Sequence, residues 1–384
     1  MTKEEVELLQ SEDVRRAIDA NIERDPNAVA LDRRVPCAQL VATQVKYLQR
    51  ARHKLPHLYA ARCIIPPRAF EQSSSYESAE RKQLGGDSLV DLCCGLGVDT
   101  IAASRRFRRV VAVERDEVLA EVVRYNLALL GIDNVEVVST SAEEYVATTT
   151  EHFDWVFLDP DRRSAEGRKL VRMEDCSPNV IAMMPRLEAI AERVALKLSP
   201  LFDVDEALRL FPDAEVEVVS LAGECKELNV YTGSEQGAVR VAIVGVGEWL
   251  FNPEAMNREP EVRRFTPEGW RYLIIPDVAL LKSRLVVAAL GEYASLWSNN
   301  GYGFATDAPP KDIPARVLPI ARVERYRPKE LKRELKGLGV DILKRDTPLS
   351  VDAVRRAIGA RAGADRCIAI TTIERENWVV TLEV

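Results

Sequence analysis

From Ser88 onward the chain alternates short β-rich runs with helical stretches. That alternation constrains the fold most, because strands joined by helices make a mostly parallel sheet with crossovers on its faces. The runs that read as strands are residues 88–92, 109–114, 135–139, 155–159 and 194–198, with helices such as 116–130 between them. Two more β-rich runs, 215–221 and 238–244, follow with only residues 222–237 between them. No crossover helix is apparent there, so these two are expected to close the sheet as an antiparallel pair. The fold class is therefore α/β, a Rossmann-like sheet of seven strands.

The flanks read differently. Residues 2–55 are expected to be helical: after Pro36, the positions Ala38, Val41, Ala42, Val45 and Leu48 fit one face of a 3.6-residue period. Pro56, Pro66 and Pro67 break the chain, and a polar segment leads to Gly85-Gly86. Beyond Trp249 the text turns rich in Pro and Arg, and a smaller α+β unit follows. Its expected strands are 272–275, 316–326 and 341–344, with a closing pair 366–372 and 378–384. Helices are expected at 278–290, 328–338 and 351–358, and 299–303 reads as a loop. A chain of 384 residues exceeds one ordinary core. The expected division is 1–84, 85–248, 249–318 and 319–384.

The strand ending near Asp91 runs into Cys93-Cys94-Gly95-Leu96-Gly97 and then a helix. Glycine lets a backbone approach a ligand closely, and the crevice of an open α/β sheet lies at the carboxyl ends of its strands. Read alone, two glycines are equally a tight structural turn. Glu114 ends the next strand about twenty residues on, where a carboxylate accepts ribose hydroxyls. Nicotinamide enzymes share that spacing. Here, however, Thr100 stands where the third glycine of G-x-G-x-x-G belongs, and a terminal antiparallel pair is foreign to the dinucleotide fold.

With these residues in place, the stretch from Leu89 to Tyr231 resembles the class I S-adenosylmethionine-dependent methyltransferases. The whole architecture is similar to a bacterial group of them carrying a C-terminal THUMP-like domain. Asp91-x-x-Cys94-Gly95-x-Gly97 looks like the D-x-x-C-G-x-G first motif of nucleic-acid amino-methyltransferases, with Cys93 where many relatives have another residue. The resemblance implies S-adenosylmethionine as cofactor, held by the turn residues Cys93, Gly95 and Gly97. It places Asp91 toward the cofactor's amino-acid moiety, Glu114 toward its ribose, and Ser141 and Ala142, with Glu143, toward its adenine.

Phe157-Leu158-Asp159-Pro160-Asp161-Arg162-Arg163 resembles the D/N-P-P-Y/F motif of the same enzymes. By that likeness Asp159 and Pro160 are the catalytic residues, holding a target amine in line with the sulfonium methyl, and Asp159 also borders the cofactor. Arg162 replaces the family's base-stacking aromatic residue, and Asp161 replaces its second proline. Arg162 and Arg163 suit a nucleic-acid substrate, since guanidinium stacks on bases and clamps phosphates; equally, they suit a structural ion pair with Asp161. Residues 71–75 look like a segment that lies over the cofactor in related enzymes, and read equally as a helix cap. Asn229 and Tyr231 are candidates to face substrate, although sheet packing explains Tyr231 as well.

The final stretch resembles the THUMP-like domain in its order of elements and its basic helix. Between Arg316 and Arg366 stand fourteen Lys and Arg against seven Asp and Glu, within a chain of net charge −7. Such an excess serves either a solvated helix surface or a face for phosphates. The resemblance implies RNA, tRNA or rRNA, as the partner. Two other readings stay open: an RNA-binding protein with a degenerate cofactor pocket, and a methyltransferase for a small molecule or protein. No metal is expected, with three histidines and no C-x-x-C pair. No apolar run of about 18 residues suits a membrane. Met1-Thr-Lys-Glu-Glu-Val lacks the pattern of a signal peptide, so a cytoplasmic location is expected.

Overall fold

The computed structural model describes residues 1–160, 177–233, 237–261 and 264–383, so Arg162 and Arg163 lie outside the described residues. The chain divides into two compact units, Met1–Leu198 with Asn229–Glu235, and Ser199–Leu228 with Gln236–Val384.

The first unit opens with seven helices: α1 (Lys3–Gln10), α2 (Glu12–Asn21), α3 (Pro26–Leu31), α4 (Ala38–Lys54), α5 (Pro56–Ala60), α6 (Pro67–Gln72) and α7 (Tyr76–Glu80). Local chemistry sets their starts. Thr2 and Glu5 form a capping box on α1, and Asp25 caps α3 ahead of Pro26. The apolar stripe of α4 buries Val41, Ala42, Val45, Leu48 and Ala51. His53 and His57 stand four apart, a spacing that could pair imidazoles on one helix face. They fall on different helices instead, because α4 ends at Lys54 and Pro56 starts α5. The extended segment before α6 is held by side-chain amides in place of a strand partner. Gln44 of α4 exchanges hydrogen bonds with both backbone groups of Ile65 (2.9 and 3.2 Å), and Asn126 does the same for Ile64 (2.8 and 2.9 Å).

The sheet of this unit follows: β1 (Gly86–Asp91), α8 (Val98–Ala103), β2 (Phe107–Glu114), α9 (Glu117–Leu129), β3 (Val135–Ser139), α10 (Ala142–Thr148), β4 (Phe153–Leu158), α11 (Val180–Ile190) and β5 (Ala191–Leu198). Asn126 lies on α9, so the amide exchange ties the helical layer to a crossover helix. The strands run parallel in the order β3-β2-β1-β4-β5. Their carboxyl halves are near-continuous apolar runs, as strands covered on both faces require.

After β5 come α12 (Val204–Leu210), β6 (Glu215–Leu221), β7 (Glu224–Tyr231), β8 (Ala238–Ile243) and β9 (Gly247–Phe251), of which β7 passes from the second unit into the first at Asn229. Here the expected pairing is corrected: β6 and β8 are parallel, from Glu215 opposite Ala238 to Ser220 opposite Ile243. The residues between them form a strand of their own. Ala222 and Gly223 make a two-residue turn with φ of 52° and 78°, the conformation of a tight antiparallel hairpin, and β7 follows directly. β7 and β9 are two strands beyond the seven expected. Asn229 and Tyr231 therefore sit in a strand, β7, within the stretch expected to hold none.

The second sheet holds β10 (Tyr272–Pro276), β11 (Gly303–Ala305), β12 (Ala315–Arg325), β13 (Gly339–Lys344), β14 (Arg361–Ile373) and β15 (Glu376–Leu382), in the order β11-β10-β12-β15-β14-β13. The expected helix over 278–290 is two, α13 (Val278–Ser283) and α14 (Val286–Leu290), because Arg284 between them takes a left-handed φ of 55°. Gly303, expected in a loop, starts β11. A Cβ there would lie 2.9 Å from Ala294 and 3.2 Å from Ile274, so only glycine permits this approach. Helices α15 (Pro328–Leu335) and α16 (Val351–Ile358) bury Leu331, Leu335, Val354 and Ile358, leaving Lys329, Lys332, Arg333 and Arg356 exposed. No helix among the described residues is long and apolar enough to cross a membrane.

Candidate active site

Strand register decides which side chains meet at the carboxyl edge of the first unit's sheet. Asp91 of β1 lies opposite Ala112 on β2 and Phe157 on β4, and Leu158 lies opposite Leu196 on β5. Asp159 and Lys197 each come one residue after that last pair, which brings their side chains together from neighbouring strands.

The glycine turn is pinned from both sides. Leu92 donates its N–H to the Phe157 carbonyl at 2.9 Å, and Cys94 donates to the Val113 carbonyl at 3.1 Å. Gly95 and Gly97 take φ of +55° and +80°, which side chains rarely adopt. A Cβ on Gly97 would sit 3.3 Å from Val123 of α9, whereas among the described residues no atom outside the turn lies within 4 Å of one on Gly95, so the space before it is open there. Beside it, Glu114 accepts the N–H of Gly95 on Oε2 and of Asp116 on Oε1, each at 2.9 Å. A carboxylate has about four acceptor sites, so capacity remains for hydroxyl donors.

Asp91 is 1% exposed; its Oδ2 accepts the Thr100 hydroxyl at 2.6 Å and its Oδ1 the Cys93 N–H at 3.2 Å. Burial pushes its carboxyl up to about 7, against the lowering effect of those bonds. Burial likewise raises the Glu114 carboxyl, and drives the Cys93 and Cys94 thiols well above their ordinary range. Ser141 caps α10 by accepting the Glu144 N–H at 3.1 Å, and Ala142, the first residue of that helix, is buried. Open space before a glycine, a carboxylate with spare acceptor sites and a buried acid suited to an ammonium group together fit an adenosyl amino-acid cofactor.

Asp159 is half-buried and Pro160 buried. Around Asp159 lies a network that sequence reasoning missed. Lys197 Nζ donates to Asp159 Oδ2 and, at 2.9 Å, to Ser74 Oγ. Ser74 in turn donates to Asp99 Oδ2 at 2.7 Å, and Lys82 Nζ bonds Asp99 Oδ1 at 2.6 Å. Burial alone would raise the Asp99 carboxyl, but Lys82 and Lys197 outweigh it and hold it at about 2. A signal existed: Lys197 interrupts the buried run Val194–Leu198, a place where lysine has no packing reason to be.

Ser74 thus joins residues 71–75 to the site. Its neighbour Ser75 is an ordinary cap, accepting the Ser78 N–H of α7, and Glu71 pairs with Arg50. Tyr231 is 5% exposed and packs edge-on against Trp155, with ring centroids 6.3 Å apart, and Asn229 is also buried. Among the described residues no group of His, Cys, Asp and Glu is placed to hold a metal.

The fold is one found among methyltransferases. The family model described as Conserved hypothetical protein 95 matches residues 71–173, and the one described as THUMP domain-like matches 315–383. The chain is 25% identical, over 83% of its length and 87% of the other's, to an uncharacterised S-adenosylmethionine-dependent methyltransferase of Mycobacterium tuberculosis. A tRNA/tmRNA (uracil-C(5))-methyltransferase of Neisseria meningitidis is 30% identical over 31% of this chain and 39% of that protein. Among solved structures, a candidate methyltransferase from Porphyromonas gingivalis superposes with a TM-score of 0.80 at 24% identity, covering 96% of each chain, and so shares the fold.

Proposed function

We propose that this S-adenosylmethionine-dependent methyltransferase acts on an amine of a base in tRNA or rRNA. The observation that carries the reading is Asp159, held by Lys197 at the sheet edge where the glycine turn also ends. Bound S-adenosylmethionine supplies an activated methyl group, and the electron pair of the breaking carbon–sulfur bond goes to sulfur. The chain's task is then to hold the nitrogen in line, with Asp159 accepting an N–H of the amine. Arg162 and Arg163 are offered as contacts to the same substrate. The excess of cations from Arg316 to Arg366, within the THUMP-like match, supports RNA because phosphates dominate such binding.

The uracil-C(5) enzymes among the relatives raise carbon methylation as a second reading. Uracil C5 becomes nucleophilic only after a nucleophile adds at C6, and a thiolate is the usual choice. Cys93 and Cys94, at the site, have thiols pushed well above the ordinary range by burial and nearby carboxylates. They are poor thiolates, which favours the amine.

Incubation with radiolabelled S-adenosylmethionine and total RNA, followed by nucleoside analysis, tests the proposal. Label on an exocyclic amine supports it. Label on a pyrimidine carbon, on protein alone, or nowhere overturns it. Asp159→Ala should abolish transfer while leaving cofactor affinity largely intact.

A further inference from the structure

We propose that Lys197 is a positioning residue for methyl transfer: its ammonium fixes the Asp159 carboxylate and, through Ser74, ties it to Asp99 on the helix after the glycine turn. The inference rests on the reading that Asp159 accepts the substrate amine.

Four charged side chains gather here, Lys82, Lys197, Asp99 and Asp159, with exposures of 3, 11, 13 and 25%. Removing charges from water costs free energy that mutual attraction repays only in part, and an apolar group of similar size is often no less stable in such a place. The neighbours of Lys197 on β5 show what such a residue would meet: Val194, Ala195, Leu196 and Leu198 are all at most 1% exposed. Leucine or methionine would suit that strand, so packing does not explain the lysine.

Geometry does. A free Asp side chain turns about two bonds, and an acceptor that turns does not hold an amine in line. Lys197 occupies Oδ2 of Asp159, and Ser74 Oγ takes a second proton of the same ammonium. Ser74 is fixed in turn by Asp99, and Asp99 by Lys82. The chain of contacts runs from the end of β4 through β5 and the segment before α7 to α8. Any cofactor seated at Gly95 and any amine seated at Asp159 are then referred to one rigid frame.

The test uses the full chain. Lys197→Met removes the charge at similar volume, and Lys197→Met with Asp159→Asn removes both charges, which keeps a folded comparison should the single variant unfold. Crystal structures of the wild type and of Lys197→Met, both without cofactor, show the Asp159 side chain directly. With Lys197 gone, Asp159 should take a second rotamer or lose its side-chain density, because the bond to Oδ2 is lost. A single unchanged rotamer overturns the proposal, and this readout needs no activity.

Single-turnover transfer to total RNA gives the second readout. The rate at saturating cofactor should fall about 30-fold or more in Lys197→Met, with cofactor affinity within about threefold and partial recovery in Lys197→Arg. The double variant should be no slower than Asp159→Asn alone, since Lys197 acts through Asp159. Parallel loss of rate and cofactor affinity, or an additive loss in the double variant, overturns the proposal. Should the wild-type protein label no RNA, the function proposed above fails, while the Asp159 conformation in Lys197→Met still decides what Lys197 does.

Discussion

Glu114 accepts the backbone N–H of Gly95 at 2.9 Å, joining residues 19 apart in sequence and the ends of two neighbouring strands. The bond ties the turn to the end of β2. With the Asp116 N–H also bound, the carboxylate keeps acceptor sites for other donors.

Replacing Glu114 separates those roles. Glu114→Gln keeps an acceptor for Gly95 but loses the charge, and cofactor affinity should fall about 10-fold; Glu114→Ala should lose about 100-fold. These losses correspond to charged hydrogen bonds of about 1.5–3 kcal/mol. Calorimetric titration with S-adenosylhomocysteine measures both. Wild-type affinity in Glu114→Ala would remove the residue from the cofactor site.

The two glycines should fail differently. Both are left-handed, so alanine at either costs about 1–2 kcal/mol of stability. Gly97→Ala adds crowding, because its Cβ would press on Val123 at 3.3 Å. Gly95→Ala meets no atom within 4 Å among the described residues beyond its chain neighbours, yet its methyl enters the open space. Thermal unfolding should therefore rank Gly97→Ala the less stable, while cofactor affinity falls at least about 10-fold in Gly95→Ala. The reverse ranking in either assay contradicts the geometry.

The elements closest to this site were the most legible in the sequence. Asp91, Gly95, Gly97 and Glu114 are local in character: each is a strand end or a turn whose residue type follows from backbone needs. The parallel strands were legible for the same reason, since burial on both faces writes itself as apolar runs. The seventh strand was not, because Glu224, Cys225, Lys226 and Glu227 open it with polar text. Nor was the Lys197 network, which brings together residues 74, 82, 99, 159 and 197. Such a set exists only once sheet register places Leu158 beside Leu196. A periodicity argument sees faces of elements, not the meeting of distant ends.

The buried acid Asp91 makes stability depend on pH in a direction that can be worked out. Its folded value of about 7 lies above the ordinary 3.8. Below pH 4 it is protonated folded or unfolded; between 4 and 7 only the folded form keeps the proton. Its contribution is therefore full below pH 4 and lost as pH rises through 7, by about 4 kcal/mol at most. Asp99 works in the opposite sense, its value of about 2 giving stability that is present above 3.8 and lost as pH falls through 2. Above pH 4, then, the Asp91 effect stands apart from that of Asp99. Urea unfolding at pH 5 and 8 should show wild-type stability falling, with a smaller drop in Asp91→Asn, which keeps partners for Thr100 and Cys93. An equal drop in both would mean that Asp91 is not the group responsible. The same carboxyl predicts a binding signature, since an ammonium placed beside it favours the carboxylate. Binding of S-adenosylhomocysteine at pH 6 should release a proton, seen as a heat that varies with the buffer's ionisation enthalpy, and Asp91→Asn should erase that dependence.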